Sequence, residues 1–87
     1  MNILVTGVAG FIGFHTAIRL LNNTRHKITG IDNMNDYYDV DLKKARLSKI
    51  PSKNFLFHQA DISEKDKLND IFIHGKFNIV INLAAQA

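Results

Sequence analysis

The chain has 87 residues, 46% of them hydrophobic and 22% charged, and its eleven Lys and Arg against eight Asp and Glu leave a net charge of +3. That composition carries enough apolar surface to offset the ordering entropy that keeps polar chains disordered, and too few residues for two sizeable domains. Cysteine is absent, which excludes disulfides, thiolate metal sites and thiol nucleophiles, and no apolar stretch approaches the roughly 18 residues of a membrane helix.

Ile3-Leu4-Val5 is a short apolar run ending at Thr6-Gly7, the pattern of a strand buried on both faces of a parallel sheet. Phe11, Phe14, Ile18 and Leu21 then fall on one helical stripe with Ala17 beside it, which predicts a helix from Phe11 to Leu21. Asn22-Asn23 is its expected stop, since Asn tolerates the left-handed C-terminal cap. Lys27 to Ile31 reads as a second strand, weakened by Gly30, and Asn33 to Tyr38 as a polar turn. Asp39 to Lys49 is a predicted helix with acid at its start and base towards its end, matching the helix dipole, and Pro51 closes it. Asn54 to His58 is a third strand. Ser63-Glu64-Lys65-Asp66 has the form of a capping box with Ser63 as N-cap, followed by Leu68, Ile71 and Phe72 on one face and Gly75 as the stop. Phe77 to Leu83 is a fourth strand.

The order β-α-β-α-β-α-β implies right-handed crossovers and a parallel sheet with helices on both faces. The fold class is therefore α/β, a Rossmann-type sheet of strand order 3-2-1-4. The usual pattern has about six strands, and strands five and six would lie beyond Ala87, leaving one side of strand four without its partner. Residues 1–87 read as the N-terminal part of a dinucleotide-binding domain.

Gly7, Gly10 and Gly13 sit between the first strand and the first helix. Glycine suits such a junction: one allows the sharp turn, one lets a phosphate approach bare backbone, and one lets helix pack closely on strand. The free N–H groups and positive helix end would then meet a pyrophosphate. Asp32 ends the second strand, nineteen residues beyond Gly13. An acidic residue about 20 residues on binds the ribose hydroxyls of NAD and repels the extra phosphate of NADP. Asp61-Ile62 follows the third strand, where the loop could contact adenine or could merely start the next helix; both readings stand. Leu83-Ala84-Ala85 follows the fourth strand, and small residues there would let backbone pass beside a cofactor, although a plain strand exit explains them as well.

The remaining candidates point away from chemistry. His15, His26, His58 and His74 lie on different elements without metal-ligand spacing. Tyr37 and Tyr38 suit packing or contact with the adenosine end better than catalysis, and neither has a lysine four residues on. Lys43, Lys44 and Arg46 follow Asp36, Asp39 and Asp41, a mixed-sign helix face and not a nucleic-acid stripe. The N-terminus has neither a basic n-region nor a cleavage site. The expected setting is cytoplasmic, with no membrane or nucleic-acid partner.

Together these residues resemble the extended short-chain dehydrogenase/reductase family, in its nucleotide-sugar epimerase branch. Thr6-Gly7-Val8-Ala9-Gly10-Phe11-Ile12-Gly13 is similar to that family's cofactor loop. The segment Asp32 to Asp39, with Leu42-Lys43 and Arg46-Leu47, resembles UDP-glucuronate 4-epimerases, including those of capsular polysaccharide synthesis, and so does Leu83-Ala84-Ala85-Gln86-Ala87. One departure is Asn82, where the branch has His. The resemblance implies NAD as cofactor, with Gly7, Gly10, Phe11, Ile12 and Gly13 at the pyrophosphate. It implies Asp32, Asn33 and Asn35 at the adenosine ribose, Lys43 on the adenosine side, Asp61 and Ile62 at adenine, and Leu83, Ala84 and Ala85 beside the cofactor. It also implies a UDP-sugar substrate and a homodimeric full-length protein. The family's catalytic Tyr-x-x-x-Lys does not occur within 1–87, so these residues alone are expected not to epimerise. Alternatives are a fragment of an NAD-dependent sugar-nucleotide 4,6-dehydratase, a non-catalytic dinucleotide-binding module and, against the scattered charges, a basic nucleic-acid binder.

Overall fold

Strand β1 (Asn2–Thr6) runs through the middle of the molecule, and its Ile3, Leu4 and Val5 are at most 2% exposed. Around it the computed structural model, which describes residues 1–35 and 39–84, arranges α1 (Phe11–Leu21), β2 (Lys27–Asp32), α2 (Val40–Lys49), β3 (Phe55–Gln59), α3 (Lys65–Gly75) and β4 (Ile79–Asn82). All strand pairings are parallel and the order is β3-β2-β1-β4, as predicted. Ile3 lies opposite Ile28 and Ile79, and Thr6 opposite Ile31 and Asn82. Each strand therefore ends level with its neighbours.

Because side chains alternate along a strand, the sheet builds two cores. Ile3, Val5 and Ile28 pack with Val8, Ala17 and Ile50, closed over by Phe14, Ile18 and Leu21 of α1 and Leu47 of α2. Leu4 and Ile31 pack on the other face with Ala60 and Ile71, supported by Leu68 and Phe77. Two helices thus cover one face and one helix the other. Leu56, Phe72, Ile73 and Val80 remain exposed. Among the described residues, no helix is long and apolar enough to cross a membrane.

The predicted bounds of α1 hold, but its ends differ in detail. Phe11 is 64% exposed, off the core stripe. It begins the helix at the rim of the preceding loop, where its ring meets His15 edge-on at 4.6 Å. Asn22 is right-handed (φ −62°), not left-handed, because its N–H still bonds the carbonyls of Ile18 and Arg19.

Ser63 is not the N-cap of α3. The cap is Glu64, with no side-chain capping bond. The reciprocal pairing sits two residues earlier: Asp61 N–H donates to Glu64 Oε1 (2.9 Å) and Glu64 N–H to the Asp61 carbonyl (2.9 Å). Gly75 is the last helical residue and Lys76 takes the left-handed turn (φ 47°). Space explains the glycine, since a Cβ there would stand 2.1 Å from the Phe77 ring. β4 is shorter than predicted because Phe77 turns into the second core, edge-on to Phe72 at 5.7 Å. Tyr37 and Tyr38 lie outside the described residues.

The central position of β1 makes one packing prediction. Leu4→Ala removes a wholly buried side chain from the second core and is expected to cost about 2–5 kcal/mol. Urea unfolding of the two chains measures it.

Candidate functional site

All four strands point their carboxyl ends at one edge of the sheet. The order reverses there, because β2 lies on one side of β1 and β4 on the other. In open parallel sheets such a switch point opens a crevice.

The loop after β1 enters that crevice through Gly7, whose φ of +71° suits glycine and strains other residues. Its N–H bonds the Ile31 carbonyl at 2.8 Å. A Cβ on Gly7 would stand 2.8 Å from Ala84 N and from the Leu83 carbonyl, so the loop lies directly against the exit of β4. Thr6 fixes this contact. Its hydroxyl donates to Asn82 Oδ1 (2.5 Å) and accepts from the N–H groups of Leu83 (3.1 Å) and Ala84 (3.3 Å). One donor and two lone pairs are then all used.

Gly13 completes the packing from α1, since a Cβ there would be 2.1 Å from the Gly7 carbonyl oxygen. No side chain caps α1 and no acidic residue lies in its first turn. The N–H groups of Phe11, Ile12 and Gly13 thus carry the helix's partial positive charge without an internal acceptor among the described residues. Such an end attracts a phosphate. Phe11 and Ile12 contribute backbone here, their side chains being exposed.

Asp32 closes the other side, 6% exposed at the end of β2. Its Oδ2 accepts from Ala9 N–H at 3.1 Å, and its Oδ1 accepts from Met34 N–H at 2.8 Å and from Lys43 Nζ at 3.2 Å. Met34 is left-handed (φ 55°), a strained conformation for its side chain, held by that bond to Asp32. Arg46, three residues along α2 from Lys43, donates to the Ala9 carbonyl at 3.1 Å. Ala9 is therefore gripped at both its N–H and its C=O.

Beyond Asp32 a cleft of about 570 Å³ is lined by Asn33, Asn35, Gln59, Ala60, Asp61, Glu64 and Lys67. Asp61 accepts from Ser63 N–H at 2.9 Å and from Asn33 Nδ2 at 3.5 Å. The Ser63 N–H is the main cause that holds its carboxyl below the ordinary aspartate value, and the Asn33 amide adds to it. Ile62 is half-exposed beside it.

The structure thus brings Gly7, Gly10, Gly13, Asp32, Asn33, Asn35, Asp61, Leu83 and Ala84 to one edge. Lys43 joins them, buried against Asp32. Ala85 lies outside the described residues. Sequence reasoning missed Thr6 and Arg46 as parts of the site. Arg46 had a signal, its three-residue spacing from Lys43 on one helix face. The hydroxyl network of Thr6 depends on where β4 pairs, which no local pattern reveals.

A family model described as GDP-mannose 4,6 dehydratase matches residues 4–87. The Staphylococcus aureus protein CapI is 45% identical over 87 residues, covering all of this chain and 26% of CapI. The UDP-glucuronate 4-epimerase of Thermodesulfobacterium geofontis is 47% identical over 85 residues, 97% of this chain and 26% of that enzyme. In structure, the UDP-glucuronic acid 4-epimerase of Bacillus cereus in complex with NAD superposes with a TM-score of 0.86 at 35% identity, covering all of this chain and 28% of that one. The chain spans about a quarter of the length of these relatives.

The glycine packing gives a paired prediction. A Cβ on Gly13 meets rigid backbone at 2.1 Å, whereas one on Gly10 meets the Gly7 carbonyl at 3.3 Å from an extended conformation open to alanine. Gly13→Ala is expected to destabilise the chain by about 3 kcal/mol, the upper end for overpacked sites. Gly10→Ala should stay within roughly 1 kcal/mol. Thermal unfolding of both variants checks the contrast.

Proposed function

The chain belongs to the GDP-mannose 4,6-dehydratase family, and on that premise we propose that it is the NAD-binding portion of a nucleotide-sugar 4-epimerase acting on UDP-glucuronate. The observation that carries the reading is the Asp32 carboxylate, buried at the end of β2 and bonded to the backbone of the glycine loop. Asp32 follows Gly13 by nineteen residues, close to the roughly 20 at which an acidic residue meets the ribose in dinucleotide sites. The similarity to UDP-glucuronate 4-epimerases over nearly the whole chain supports the substrate.

In this reading the uncapped start of α1, with Gly7, Gly10, Phe11, Ile12 and Gly13, binds the pyrophosphate through backbone N–H groups. Asp32 accepts from an adenosine ribose hydroxyl at its remaining acceptor position, with Asn33, Asn35 and Lys43 around it. Asp61 and Ile62 line the adenine cleft, and their loop is already stiffened by Ser63 and Glu64. Leu83 and Ala84, held by the Thr6 hydroxyl, form the wall beside the cofactor, and Ala85 follows them in sequence. The residues present fit NAD: the close backbone approaches at Gly7 and Gly13 leave the loop bare. The chemistry such a cofactor supplies in a 4-epimerase is reversible hydride exchange at sugar C4. This chain's residues bind and orient it. They do not move the sugar proton, because no Tyr-x-x-x-Lys occurs in residues 1–87. The full-length enzyme is read as cytoplasmic and homodimeric, as the resemblance implies.

A second reading is a sugar-nucleotide 4,6-dehydratase, favoured by the description of the matching family model. The two share this dinucleotide site and differ in the half that handles the sugar.

Amide NMR titration of the chain tests the proposal. NAD⁺ is expected to give saturable shifts at Gly7, Ala9, Gly13 and Met34, with weaker binding of NADP⁺. UDP-glucuronate with NAD⁺ is expected to give no turnover. A chain that stays folded and shows no shifts with NAD⁺ contradicts the assignment.

A further inference from the structure

Asp32 has four lone-pair positions on its two carboxylate oxygens. Three are taken by Ala9 N–H, Met34 N–H and Lys43 Nζ. The Lys43 ammonium is buried with its partner: the two side chains are 10% and 5% exposed, 3.2 Å apart. Burial of an ammonium requires a counter-charge, and Asp32 supplies it. The adenosine end of the site is therefore a neutral ion pair and not a lone negative charge. Arg46 lies on the same face of α2, bonded to a neutral carbonyl and not to a carboxylate. Among the described residues, a second cation thus stands beside the Lys43–Asp32 pair at this corner.

A 2′-phosphate brought to such a corner meets a carboxylate that would repel it and, on the same oxygen, an ammonium that would bind it. We propose that Lys43 is a specificity-determining residue of the dinucleotide site: paired with Asp32 it is withheld, and the corner accepts a free 2′-hydroxyl; released from Asp32 it becomes the cation that holds a 2′-phosphate. This rests on the NAD-binding reading above. Asp32 then excludes the phosphorylated cofactor largely by occupying Lys43, and the discrimination belongs to the pair.

The test uses isothermal titration of the chain with NAD⁺ and NADP⁺, and with adenosine 2′,5′-bisphosphate as a probe of the adenosine end alone. Asp32→Ser is expected to tighten NADP⁺ and the bisphosphate at least tenfold over the unsubstituted chain. Adding Lys43→Met to Asp32→Ser is expected to abolish that gain, so that NADP⁺ and the bisphosphate lose at least tenfold more affinity than NAD⁺ does; with Asp32 gone, this second change strands no buried charge. Lys43→Arg in the same background should keep the gain, because a cation remains. Should Asp32→Ser fail to fold by circular dichroism, the near-isosteric Asp32→Asn takes its place with the same expectation. A gain that survives Lys43→Met, or no gain in a folded Asp32 variant that still binds NAD⁺, overturns the proposal and leaves the NAD-binding reading intact. Absence of NAD⁺ binding by the unsubstituted chain overturns both.

Discussion

The Asp32 carboxylate is held at the end of β2 by donors from three segments: Ala9 in the loop after β1, Met34 in the turn after β2, and Lys43 in α2. A buried charge without partners is costly, and removing one member of a buried ion pair costs about 3–5 kcal/mol. The three segments are therefore not free to drift independently. Where Asp32 goes, the glycine loop follows through Ala9, and Arg46 closes the circuit by binding the Ala9 carbonyl from α2. The left-handed turn at Met34 is stabilised by the same carboxylate.

The opposite wall depends on the first link in a different way. Gly7 lies so close to Leu83 and Ala84 that no side chain fits between them, and the Thr6 hydroxyl bonds both of their N–H groups. One side of the crevice is set by charge and the other by steric contact and a hydroxyl. Between them the start of α1 presents N–H groups without an acceptor among the described residues. A site formed in this way before any ligand arrives loses little conformational entropy on binding. The Thr6–Asn82 bond gives Asn82 a part in this wall, since its side-chain amide oxygen accepts the hydroxyl proton.

Much of this was legible in the sequence because the periodicities were strong. The alternation of apolar runs and helical stripes predicted all seven elements and the strand order, and the bounds of α1 were read to the residue. The glycine spacing and Asp32 marked the crevice. What escaped was set by contacts between distant segments. Phe77 left the fourth strand because a pocket against Phe72 and Gly75 was available to it. Ser63 lost the helix cap to Glu64 because Asp61 and Glu64 pair reciprocally two residues earlier. Lys43 entered the site through the resemblance, while its charge pattern showed only a mixed-sign helix face; its burial escaped that pattern because it depends on a carboxylate eleven residues earlier in the chain.

The central claim, that one carboxylate ties the glycine loop to β2 and α2, is tested most directly by native-state amide hydrogen exchange. Ala9 and Met34 N–H are compared between the unsubstituted chain and Asp32→Ser, with Leu4 and Ile28 in the sheet as internal references. The account predicts that Ala9 and Met34 are protected in the unsubstituted chain and lose at least tenfold more protection in the variant than Leu4 and Ile28, whose exchange reports the global loss of stability. A loss at Ala9 no larger than that at Leu4 and Ile28 would contradict it, since the loop would then be held by something other than Asp32.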